Sequence, residues 1–334
     1  MTERFWSRLP VLITGATGLV GGHVVDALLK RDASITALVR DFVPFSRFYS
    51  EGMSQRCNCV EGSVTDQALL ERVIGENEIA VVLHLAAQTI VPTAHKNPVS
   101  TWDTNIRGSY ALLEACRRSP GVQSVVFASS DKAYGAADVL PYSEATPLRP
   151  TAPYDVSKAA GDMIAASYAK TWDVPVAVTR CGNFYGGGDL NFSRIVPGTI
   201  RSLLARERIV MRSNGSPIRD YFYVEDGAEA YLALAEALAR DPKKFRGEAF
   251  NFSNDHPVSA RALIEQIDRA VGNDPSTVAE RILVANTATG EIDAQHLSSA
   301  KAREWIGWAP RFSLDDGLAR TLAWYRGFFG DRST

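Results

Sequence analysis

Tyr154 and Lys158 stand four residues apart, so on a helix both side chains leave the same face. An ammonium beside a phenol favours the phenolate and draws the tyrosine pKa toward the range of a general base. Ser130 follows the apolar run Val122 to Ala128, which reads as a strand, and its hydroxyl can bond the same substrate oxygen. Asp131 and Lys132 come directly after it, a carboxyl and an amine side by side. A reaction that removes one proton and protonates a leaving group needs an acid and a base of these two types. Each feature alone has a plainer reading: an aromatic and aliphatic helix pair with a solvated lysine, and a surface ion pair worth little to stability. Their conjunction with a nucleotide-binding turn points to catalysis.

That turn is Val11-Leu12-Ile13-Thr14-Gly15-Ala16-Thr17-Gly18-Leu19-Val20-Gly21. Its β-branched apolar start reads as a buried parallel strand, and its glycines, three apart, open a helix predicted from Leu19 to about Lys30. Glycine permits φ > 0 and close approach of backbone to a pyrophosphate, while free N–H groups and the helix dipole attract it. A dinucleotide fits such a turn. Ser34 to Val39 reads as the next strand, ending at Arg40 and Asp41, where an adenosine ribose is expected. Asp41 suits a free 2′-hydroxyl and Arg40 a 2′-phosphate, so NAD and NADP both stay open, with NAD favoured. The segment from Asp41 to Arg56 reads as a loop with a short helix.

Strands and helices then alternate: Cys59 to Val64, Gln67 to Ile74, Ile79 to Leu85, Asn105 to Arg118, Val122 to Ala128, Tyr154 to Thr171 and Val174 to Thr179. This order implies an α/β fold, a Rossmann-type doubly wound parallel sheet covered on both faces. Residues 1–180 form the expected nucleotide-binding domain, with 221–253 returning to it. The pattern breaks after Arg180 at Gly186-Gly187-Gly188-Asp189 and Pro197, so 181–334 reads mainly as a smaller mixed α/β substrate region.

A net charge of −2 and 22% charged residues leave no basic field for nucleic acid, so an anionic ligand must be gripped by local arginines. The chain has no stretch of about 18 apolar residues for a membrane span. Four cysteines without a disulfide or zinc pattern suit a reducing cytoplasm. The five histidines show no metal-ligand spacing.

Gly15-x-x-Gly18-x-x-Gly21, Ser130, Tyr154-x-x-x-Lys158, Asn105 within Thr104 to Gly108, and Arg219-Asp220-Tyr221 together resemble the extended short-chain dehydrogenase/reductase family, whose members include nucleotide-sugar epimerases and dehydratases. The resemblance runs nearly the whole length, to Trp308-Ala309-Pro310 and the helix after it. It implies a triad of Ser130, Tyr154 and Lys158. It implies cofactor contacts from Gly15, Thr17, Gly18, Leu19, Val20 and Gly21, from Arg40 and Asp41, from Ser63 and Val64, from Leu85, Ala86 and Ala87, and from Asn105, Tyr154 and Lys158. Ser63 stands where many relatives carry an aspartate. Gln88, Ser130, Asn183, Arg194 and Arg219 are the implied substrate contacts, and the helices carrying Asn105 and Tyr154 the implied surface of a homodimer.

Within the family, Ser130-Asp131-Lys132 is similar to the Thr-Asp-Lys of CDP-glucose 4,6-dehydratases and the Asp-Lys of UDP-N-acetylglucosamine dehydratases. Arg4-Phe5-Trp6 and Gly186-Gly187-Gly188-Asp189 are further likenesses to the CDP-glucose group, whereas Arg219 to Val224 resembles the epimerase pattern. The expected reaction is conversion of a nucleotide-linked hexose to its 4-keto-6-deoxy form. A nucleotide-sugar 4-epimerase is the alternative, and a non-catalytic cofactor sensor of the same fold the third.

Overall fold

The structure is a computed structural model that describes residues 3–287 and 292–330. Seven strands form one parallel sheet: β1 (Pro10–Thr14), β2 (Ser34–Val39), β3 (Asn58–Glu61), β4 (Val81–His84), β5 (Ser124–Ala128), β6 (Val176–Cys181) and β7 (Ala249–Phe252). Their spatial order is β7-β6-β5-β4-β1-β2-β3. The order reverses between β1 and β4, and at such a switch point the carboxyl ends of the strands part to leave a crevice. β1, β4, β5 and β6 are buried almost throughout, which explains their continuous valine, leucine and isoleucine runs.

One face of the sheet carries the helices Leu19–Leu29 and Val224–Arg240, whose Val24, Leu28, Tyr231 and Leu238 enter its core. The other face carries Gln67–Glu76, Gly108–Arg117 and Pro153–Trp172. A third core, around Tyr185, Ile200, Ile264 and Tyr325, belongs to the smaller part of the molecule. There the short strands Asn183–Tyr185 and Tyr221–Tyr223 pair in parallel. Val258–Ser259, Ile218–Arg219 and Ala294–Gln295 make a three-stranded sheet.

The predicted elements are present with shifted ends. The third strand stops at Glu61 instead of Val64, because Ser63 closes a turn through its hydroxyl on the Thr65 amide, 3.2 Å away. The long helix expected from Asn105 begins instead at Gly108, after a π turn over Asp103–Arg107. The loop after Asp41 contains the helix Arg47–Ser50 and a 3-10 turn, Met53–Arg56.

A histidine joins the two parts. Arg47 Nη1 lies 2.8 Å from His23 Nδ1, and His23 Nε2 lies 2.8 Å from the Gly187 carbonyl. Arginine can only donate, so Nδ1 accepts, Nε2 carries the proton and the ring is neutral. Burial, then the Arg47 charge, holds its pKa down at about 4. His84, bonded to Thr14 Oγ1 at 2.8 Å, is pushed by burial to about 3. Both folded pKa values lie below the unfolded 6.5, so unfolding takes up protons in this window. The stability they confer is complete above about pH 6.5 and is lost as pH falls toward 4 and 3, at up to about 1.4 kcal/mol per pH unit for each ring. His23→Gln should therefore flatten the dependence of unfolding free energy on pH between 6.5 and 4 by about one proton, measured by urea unfolding. An unchanged slope would show that His23 is charged in the folded chain.

Candidate active site

At the carboxyl end of β1, Gly15 has φ +81°, and a methyl group on it would lie 2.8 Å from the Ala86 nitrogen. The turn thus packs backbone against backbone on the segment Leu85-Ala86-Ala87 after β4. A methyl on Gly21 would come within 2.0 Å of the Gly15 carbonyl oxygen, whereas one on Gly18 would meet only that oxygen, at 3.3 Å. Gly15 and Gly21 build the turn, and exposed Gly18 leaves its mouth open beside Thr17, Leu19 and Val20. The helix that follows has no side-chain cap and no acidic residue in its first turn. Its first N–H groups and positive end are therefore available to an anion, as a dinucleotide pyrophosphate requires.

Arg40 and Asp41 follow β2 and pair with each other, Nε to Oδ2 at 2.7 Å, both well exposed. Ser63 and Val64 follow β3: Ser63 Oγ bonds Thr65 Oγ1 at 2.9 Å, and Val64 lies under Gly108, where a methyl would stand 2.7 Å from Val64 Cγ2. Asn105 is buried in the π turn. Its Oδ1 accepts from the Gln88 amide at 2.7 Å, and its Nδ2 donates to the Gln88 carbonyl at 3.0 Å and to Ser157 Oγ at 2.9 Å. It ties the segment after β4 to the helix bearing Tyr154. The Gln88 side chain is bonded within its own segment and to the helix that follows, its Nε2 donating to the Ile90 carbonyl at 3.2 Å and to Thr101 Oγ1 at 3.1 Å.

Ser130 caps the 3-10 turn Asp131–Tyr134 after β5, accepting from the Lys132 amide at 3.2 Å. Its hydroxyl donates to Asp131 Oδ1 at 3.0 Å and stands near enough to Tyr154 to influence the phenol. Lys132 Nζ lies 2.8 Å from Asp131 Oδ2. The Asp131 side chain is 2% exposed and that of Lys132 22%, so the pair is no solvated surface bridge. Lys158 donates to the Ala128 carbonyl at 2.7 Å, and burial pushes it down to about 8.

The expected lowering of the Tyr154 pKa by Lys158 is not what governs the phenol. Burial first, then the Asp131 carboxylate, raises it above its ordinary value, and the nearby Ser130 hydroxyl opposes the rise. The lysine ammonium is aimed at a carbonyl, so desolvation wins. Asp155 is raised to about 6, by burial first, against the pull of Lys132.

A cavity of about 650 Å³ is lined by Asn183, Arg194 and Arg219 together with Phe192, Met211 and Tyr221. Three of the five predicted substrate residues thus share one chamber. Arg194 is held by Asp189, Nη1 to Oδ2 at 2.7 Å. Arg219 donates to the Ile218 carbonyl at 2.8 Å. Arginines beside polar backbone suit a diphosphate, and the apolar stretch suits a flat base.

The model of the NAD dependent epimerase/dehydratase family matches residues 11–252. The chain belongs to that family. It is similar to a CDP-glucose 4,6-dehydratase of Salmonella typhimurium, 27% identical with 97% of this chain and 92% of that enzyme covered. The structure of dTDP-glucose 4,6-dehydratase from Bacillus anthracis in complex with NAD superposes with a TM-score of 0.84 at 26% identity, covering 96% of this chain and 97% of that one. UDP-glucose 4-epimerase from Thermotoga maritima, with UDP-glucose, gives 0.85 at 26%, covering 96% and 100%. The chain also spans about half the length, 48%, of a trifunctional Arabidopsis thaliana protein that includes a UDP-glucose 4,6-dehydratase.

In this NAD-dependent family member, sequence reasoning missed Asp155, the role of Asp189, and Gln295. Asp155 sits beside Tyr154 in sequence, and Asp189 lies five residues before an arginine, so both carried a local signal. Gln295 lies in a segment without periodicity and carried none.

The glycine geometry separates binding from folding. Gly18→Val should stay folded, because a side chain there meets only one oxygen at 3.3 Å, yet block the mouth of the turn and weaken NAD binding by at least about tenfold. Gly21→Ala should lower the melting temperature. Calorimetry with NAD titration checks both, and Gly18→Val that binds NAD like the wild type would remove the turn from the cofactor site.

Proposed function

We propose that this chain is a nucleotide-sugar 4,6-dehydratase and that the buried Asp131–Lys132 pair carries the elimination. That pair, bonded to the Ser130 that meets Tyr154, is the observation that supports the reading. Passing one proton across its 2.8 Å contact turns ammonium and carboxylate into amine and carboxylic acid, the base and acid the reaction needs. Tyr154, acting as the phenolate, takes the O4 proton of the hexose as C4 becomes a ketone, and its raised pKa makes this step faster as pH rises. The ketone acidifies the C5 proton, which Lys132 takes while Asp131 protonates the departing O6 as water. The proton on Lys132 then returns to C5, and the one Tyr154 took from O4 balances the one Asp131 gave up. Gly15, Gly18, Gly21, Lys158 and their neighbours would hold NAD, which would supply a reversible hydride acceptor for oxidation at C4 and reduction at C6.

The cavity supports a nucleoside diphosphate-linked hexose, its pyrophosphate between Arg194 and Arg219. NAD is preferred to NADP on this reading, because Arg40 is already paired with Asp41 and a 2′-phosphate would stand against that carboxylate. Exposed Tyr110 and Met163 on neighbouring helices support a homodimer. Among the described residues no helix is long and apolar enough to cross a membrane, and the four free thiols suit a reducing cytoplasm.

Lys132→Met should leave the first hydride transfer intact and slow loss of water by about 10²-fold or more. Mixed with a nucleotide-linked glucose, the variant should stall with reduced nicotinamide, visible by absorbance, and the wild type loaded with NAD should turn over faster than with NADP. Tyr154→Phe should show no reduction at all. Undiminished loss of water by Lys132→Met would leave the pair a structural role, and a C4 epimer as the wild-type product would favour a 4-epimerase, to which a hydride taken and returned at C4 suffices.

A further inference from the structure

Gln295 comes from the smaller part of the molecule, 163 residues after Lys132 along the chain, yet its side chain is spent on the acid/base pair. Its Oε1 accepts from Lys132 Nζ at 2.6 Å, and its Nε2 donates to the Asp131 carbonyl at 3.1 Å. An ammonium only donates and a carbonyl only accepts, so the orientation of the amide is fixed by its partners. Gln295 is 1% exposed, and an amide this deep would be costly if left unbonded.

The backbone around it is equally anchored. Ala294–Gln295 pairs in parallel with Ile218–Arg219, and Gln295 is the register partner of Arg219. The Leu297 amide donates to Asp220 Oδ2 at 2.6 Å, and the His296 carbonyl accepts from the Tyr142 amide at 2.9 Å. One short strand therefore runs beside the arginine of the nucleotide cavity and ends in the side chain that holds the lysine.

We infer that Gln295 is a positioning residue for Lys132, fixing the direction in which its amine meets C5 and coupling that direction to the strand of Arg219. The inference rests on the dehydratase reading above. Lysine has four rotatable bonds, and Asp131 alone constrains the ammonium at one contact. Once one proton has passed to Asp131, the lone pair left on Nζ points at that carboxyl. One staggered step about the Cε–Nζ bond brings it to the sugar while an N–H still meets Gln295, so the amide limits the turn to the orientation that reaches C5. The residue touches no reacting atom and acts only through Lys132.

The test compares Gln295→Met, which keeps the volume and loses both bonds, with Gln295→Glu, which keeps an acceptor for Nζ. Each is assayed by stopped flow with a nucleotide-linked glucose and NAD, alongside Lys132→Met. Gln295→Met is expected to bind substrate within about twofold of the wild type and to reduce the nicotinamide at the wild-type rate. It should lose water about 10- to 100-fold more slowly, so that reduced cofactor accumulates. Gln295→Glu should recover part of that loss, and Lys132→Met/Gln295→Met should be no slower than Lys132→Met. Wild-type dehydration by Gln295→Met while Lys132→Met stalls would overturn the positioning role and leave the dehydratase reading standing. Equal slowing of hydride transfer and water loss would overturn it too, since that marks a general deformation of the site. Absence of a stall in Lys132→Met would remove Lys132 as the base and with it the inference, whereas a C4 epimer as the wild-type product would overturn the dehydratase reading itself.

Discussion

A carboxylate with almost no access to water is the constraint around which this site is built. Removing a charge from water costs several kcal/mol unless close partners replace the lost solvation. Asp131 meets that requirement with Lys132 and with the Ser130 hydroxyl, and Lys132 in turn meets Gln295. A hydrophobic pair would pack the same volume without such requirements. What the ion pair adds is a mobile proton beside the tyrosine, at the carboxyl end of a central strand. The position follows from topology, since the parallel sheet delivers β1, β4 and β5 to one crevice with their loops converging there.

The two parts of the molecule are held in register by polar contacts that carry little exposed charge. His23 joins the helix of the glycine turn to Gly187, two residues before the aspartate that holds Arg194. Asn105 joins the segment after β4 to the tyrosine helix through Gln88 and Ser157. These links set the distance between the glycine turn, the Asp131–Lys132 pair and the cavity of Arg194 and Arg219. Asn105 and Gln88, read as ligand contacts, also give their amides to protein partners.

Much of this was legible in the sequence because it is local. Glycines three apart after a β-branched run, a tyrosine and lysine four apart, and alternating strand and helix patterns each encode their geometry within a few residues. The strand Ser34–Val39 matches its expected ends for that reason. What was not legible is long-range. Gln295 reaches Lys132 only through a sheet of two-residue strands, too short for any periodicity. The Tyr154 pKa depends on how deeply the phenol is buried and on where the Lys158 ammonium points, and the four-residue spacing says nothing of either. The π turn before Gly108 likewise answers to the Gln88 and Ser157 bonds of Asn105, partners that lie elsewhere in the chain.

The central claim is that a proton leaves C5 and water leaves C6 at the Asp131–Lys132 pair. Incubating the wild-type enzyme and NAD with a nucleotide-linked glucose in deuterated water tests it directly. Because Lys132 retains some access to solvent, the account predicts a product lighter by one water apart from isotope, with deuterium at C5, by mass spectrometry and NMR. A C4 epimer of unchanged elemental composition, with protium at C5, would contradict it.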